Sequence, residues 1–96
     1  MRPSEALAAH RNELRELVSR YDLKRPRVFG SVLTGTDTED SDLDLLVDPR
    51  DSTTLMTIAG LQIDAEKLLG VSVDVLTPDG LPPKFRDKVL RQAEPL

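Results

Sequence analysis

Cysteine and tryptophan are absent from this chain of 96 residues, and aromatic residues make up only 3% of it. Without cysteine there are no disulfides and no thiolate metal centre. A single histidine, His10, leaves a zinc site short of ligands. One Tyr and two Phe cannot fill an interior, so Leu, Val and Ile must build it. No apolar run approaches the length of a membrane span, and the start, Met1-Arg2-Pro3-Ser4-Glu5, lacks a signal-like apolar core. A cytoplasmic protein with no membrane partner is therefore expected. There is no cationic excess either. A net charge of −4 argues against broad nucleic-acid binding, which needs a basic surface.

What is present suits one small soluble domain over residues 1–96, with 39% apolar residues. Charge is unevenly spread. Asp37 to Asp51 holds seven acidic residues and one basic one, Arg50, whereas Lys84 to Arg91 is basic. Ser4 to Tyr21 reads as a helix capped by Ser4, with Leu7, Leu14, Leu17, Val18 and Tyr21 on one stripe. Arg27 to Phe29 is a short strand ended by Gly30-Ser31, and Ser31 to Leu33 a helical turn. Leu43 to Val47 is a second strand, closed by Asp48-Pro49. Ser52 is expected to cap a helix running to Leu69, with an apolar stripe of Leu55, Ile58, Ala59, Ala65, Leu68 and Leu69 and Gly70 as its stop. Val71 to Leu76 alternates as a strand. Lys84 to Ala93 is a final short helix with Phe85, Val89 and Leu90 inward. The expected fold class is α/β in the broad sense (α+β), a small mixed β-sheet with helices packed on one face.

The chemistry concentrates in three places. Val28-Phe29-Gly30-Ser31 ends a strand in a turn where glycine lets backbone approach a phosphate and a helical turn can aim N–H groups at it. The Ser31 hydroxyl adds a hydrogen bond. Ten residues later comes Asp42-Leu43-Asp44, in which the alternation of a strand puts both carboxylates on one face and Leu43, Leu45 and Val47 on the other. Parallel carboxylates repel unless a cation lies between them. Asp74 follows the same logic, opposite Val71, Val73 and Val75. Three carboxylates could hold two Mg²⁺ ions, or two could ligate while the third also takes a proton from an attacking hydroxyl. Each feature has a plainer reading, since eleven aspartates produce about one D-x-D pair by chance. Their chain order and shared face make the combination specific.

Gly30-Ser31, Asp42-Leu43-Asp44 and Asp74 together resemble the signature of the nucleotidyltransferase superfamily related to DNA polymerase β. The short chain resembles the minimal nucleotidyltransferases that act as antitoxins to HEPN-domain toxins. The resemblance implies a polymerase β-like fold in which Gly30 and Ser31 hold the triphosphate of ATP and Asp42 and Asp44 bind Mg²⁺. Asp74 would complete the metal site and help activate the acceptor hydroxyl. It further implies transfer of AMP to a tyrosine of a HEPN partner, blocking its RNase activity, within a hetero-oligomer. One departure stands out: many relatives carry arginine just before the glycine corresponding to Gly35, and here the residue is Thr34. Arg27, Lys84 and Arg86 are the cations that could replace it. The alternative is a module that keeps the fold and neutralises a toxin by binding. A small-molecule nucleotidyltransferase would need an added acceptor region for which 96 residues leave no room.

Overall fold

The computed structural model describes residues 1–96. The first helix, α1 (Pro3–Arg20), leads into β1 (Lys24–Phe29), a single-turn helix α2 (Ser31–Thr34) and β2 (Leu43–Asp48). Then come α3 (Leu55–Leu69), β3 (Val73–Leu76), a 3₁₀ turn at Pro78–Gly80, α4 (Pro83–Gln92) and a two-residue strand β4 (Glu94–Pro95). No helix is long and apolar enough to cross a membrane.

The strands form one mixed sheet in the order β3-β2-β1-β4. β1 pairs antiparallel with both β2 and β4, while β2 and β3 are parallel and joined through α3, the crossover that parallel neighbours require. α1 and α3 cover one face. Between them and the sheet lie Leu14, Leu43, Leu45, Val47, Leu61 and Ala65, each with no accessible surface. This is the expected α+β class with helices on one face, built from aliphatic side chains.

Several local expectations are corrected. Ser4 lies inside α1. The N-cap is Arg2, whose backbone N–H donates to Glu5 at 3.0 Å. Ser52 does not cap α3 either. Thr54 does, and its hydroxyl accepts the Thr57 N–H at 3.3 Å. Along α3, Ala65 and Leu69 are buried as expected, whereas Leu55 and Ala59 face solvent and Leu61 is the third buried position. β1 begins at Lys24 despite Pro26, because a register shift between Lys24 and Arg27 takes up the missing donor. β3 begins at Val73. β4 was unanticipated, since two residues carry no pattern and pair only through backbone. The largest departure is α4. None of its residues is buried, and Phe85 and Leu90 are exposed rather than inward.

Candidate active site

β2 shows why the carboxylates sit where they do. Leu43, Leu45 and Val47 point into the helix-covered core, and Asp42, Asp44, Leu46 and Asp48 point to the other side. That second face is open around Asp42 and Asp44. Farther along it is closed: Leu46 is fully buried outside the main core, and the 3₁₀ turn Pro78–Gly80 crosses there. In β3, Asp74 stands exposed between buried Val73 and Val75. The register places Asp44 opposite Asp74 on β3 and opposite Phe29 on β1, so the three side chains form one row across the sheet. Asp42 begins the row's neighbour, just ahead of Leu43, whose N–H donates to the Ser72 carbonyl at 2.9 Å.

Gly30 meets this row from the end of β1. Its φ of 76° and ψ of −149° lie in a region that essentially only glycine occupies. A Cβ there would collide with a carboxylate oxygen of Asp44. Glycine is thus required twice, by backbone conformation and by the carboxylate against it. The Gly30 carbonyl accepts the N–H groups of Leu33 (3.1 Å) and Thr34 (3.2 Å), which leaves the N–H groups of Ser31 and Val32 as the free first-turn donors of α2. The glycine-serine turn and the carboxylates, ten residues apart in sequence, therefore converge in space.

The electrostatics are one-sided. The Asp44 carboxyl is pushed up to about 6, first by burial and then by the negative charges of Asp74 and Asp42. No ion pair in the protein engages the carboxylates of Asp42, Asp44 or Asp74. No three such side chains anywhere in the chain converge tightly enough to enclose an ion unaided. That donor set still fits Mg²⁺, which binds oxygen and is usually held by one or two carboxylates with substrate phosphates supplying the rest.

Of the cations named as replacements for the missing arginine, Arg27 and Arg86 are engaged elsewhere. Arg27 is nearly buried against Asp48. Arg86 donates to the carbonyls of Pro78 (2.9 Å), Asp79 and Leu81 (both 3.2 Å), binding α4 to the turn before it. Lys84 lies over the Phe85 ring, 5.9 Å from its centre. Thr34 itself turns its hydroxyl back to the Gly30 and Ser31 carbonyls (3.4 and 3.3 Å) and to Thr36. Asp37 belongs to the acidic stretch between α2 and β2. It is buried, and its carboxylate accepts the Ser4 N–H at 2.9 Å, a bond that holds the carboxyl below its usual range. That contact ties the loop between the two halves of the site to the start of α1, and a partner 33 residues away leaves no signal in sequence.

An open sheet face with uncompensated carboxylates beside free backbone donors is what a domain handling phosphates through a metal ion requires. Residues 7–94 match the nucleotidyltransferase domain family, and the chain belongs to that family. It is 38% identical over 86 residues to protein adenylyltransferase MntA of Thermococcus cleftensis, covering 90% of this chain and 84% of that protein. A solved structure provisionally assigned as a minimal nucleotidyltransferase superposes with a TM-score of 0.86 at 47% identity, over 97% of this chain and 95% of that one. A toxin–antitoxin crystal structure with AMP-PNP shares the fold, with a TM-score of 0.75 at 22% identity over 88% of this chain and 69% of that one. The family and fold inferred from the sequence are borne out.

Proposed function

We propose that this chain is an antitoxin that transfers AMP from ATP to a tyrosine hydroxyl of a partner HEPN-domain toxin, neutralising its RNase activity. The observation that carries the reading is the row of Asp44 and Asp74 with Asp42 beside it, pressed against Gly30 and lacking any cation of its own. The resemblance to protein adenylyltransferases supports a protein acceptor.

In the proposed reaction the acceptor oxygen attacks the α-phosphorus of ATP. A new phosphorus–oxygen bond forms, and the bond from the α-phosphorus to the bridging oxygen breaks. Pyrophosphate leaves with that electron pair, and the hydroxyl proton passes to a carboxylate, assigned here to Asp74. Asp42, Asp44 and Asp74 would hold Mg²⁺, which supplies Lewis-acid stabilisation of charge on the phosphates when bound. Gly30 permits close approach of the triphosphate, and the Ser31 hydroxyl and the α2 N–H groups donate to it. Nothing buries the acceptor side of the carboxylate row, which suits a protein substrate.

The test is the intact mass of the protein encoded beside this one, after co-expression with the wild type and with Asp42→Asn/Asp44→Asn. Gains in whole AMP units with the wild type, reduced by about 10³-fold or more in initial rate by the double substitution, are expected. No gain, with toxicity suppressed equally by both versions, would establish neutralisation by binding instead.

A further inference from the structure

We infer that the site is completed in trans, by a lysine or arginine of the acceptor protein standing beside the acceptor hydroxyl. This rests on the adenylyltransferase reading and goes beyond it by assigning the partner a second role. A triphosphate brought to three carboxylates keeps an excess of negative charge even with two divalent ions present. Within the chain, no ion pair places a cation on Asp42, Asp44 or Asp74. Arg25 and Arg27 share Asp48, Arg50 pairs with Asp22, and Arg86 is spent on three carbonyls. Thr34, exposed at the end of the helical turn that follows Gly30, bonds back to that turn and brings no charge. A cation from outside supplies what phosphoryl-transfer sites elsewhere take from an arginine inserted by a second protein.

Nucleotide and partner must then strengthen each other's binding by the same factor. The measurement is titration of Mg²⁺ with α,β-methylene-ATP, whose scissile position cannot react, into the isolated chain and into its complex with the partner. Binding to the complex is expected to be at least about tenfold tighter and to weaken more steeply with salt. Thr34→Arg, at an exposed position, should tighten binding by the isolated chain about tenfold and shrink the partner's effect. Equal affinity in the isolated chain and the complex would overturn the inference. If AMP transfer to the partner still occurs in that case, the adenylyltransferase reading survives alone. No nucleotide binding by either preparation would overturn both.

Discussion

Asp44 and Asp48 lie on the same face of the same strand, and their surroundings are opposite. Asp48 is shared by Arg25 and Arg27, the latter with only 12% of its side chain exposed. Asp44 has two aspartates for company and a glycine pressed against it. A protein able to place two arginines on one carboxylate has left the other without any. The difference separates a charge satisfied within the chain from one that is not: the first closes the fold, and the second costs stability for as long as it stays ionised without a cation.

Three substitutions sharpen that contrast. Gly30→Ala forces a side chain into a glycine-only conformation and onto the Asp44 carboxylate. It should destabilise the protein by about 3 kcal/mol in urea denaturation and lower transfer, because the carboxylate must move. A stable, active variant would show that the two do not press on each other. Asp48→Asn leaves Arg27 nearly buried without its counter-charge. A loss of about 2 kcal/mol by the same method is expected, with transfer little changed. Loss of transfer at unchanged stability would move Asp48 into the site. The smallest effect is expected for Asp44→Asn, and its sign is reversed. The folded-state value of about 6 stands above the ordinary 3.8, so ionisation of Asp44 opposes folding above that range. The penalty is absent below about pH 4 and grows as pH rises through 6. Without Mg²⁺ the variant should therefore be more stable than wild type at pH 8, by about 1 kcal/mol after allowing for solvent screening, and equal to it at pH 4. Melting curves at the two pH values, with and without Mg²⁺, measure it. Added Mg²⁺ should stabilise wild type more than the variant.

Legibility from sequence followed the same division. The strict alternation of β2 and β3 announced which way Asp42, Asp44 and Asp74 point, because a core face of Leu and Val leaves the other face to the charges. Gly30 was legible as a turn, but its closeness to Asp44 was not, since that depends on the pairing of β1 with β2. Arg27 and Arg86 were ambiguous cations until tertiary partners fixed them. The α3 cap was misplaced by two residues because Ser52 and Thr54 are chemically equivalent candidates, and the α1 cap because Arg2 is a residue type that carries no capping signal. α4 misled for a different reason. Its residues repeat with an amphipathic period, but a period says only that a face exists, not that this chain covers it.

Arg86 carries a consequence for how the molecule comes apart. A helix of ten residues with nothing buried has little cohesion of its own in water. One guanidinium, spread over three carbonyls, fastens it to the loop after β3, and a two-residue strand secures its far end. α4 is therefore expected to be the least stable helix of the fold, held mainly by its neighbours on either side. Its amides should exchange at a free energy below that of the sheet, while those of β2, the best-buried strand, should exchange last.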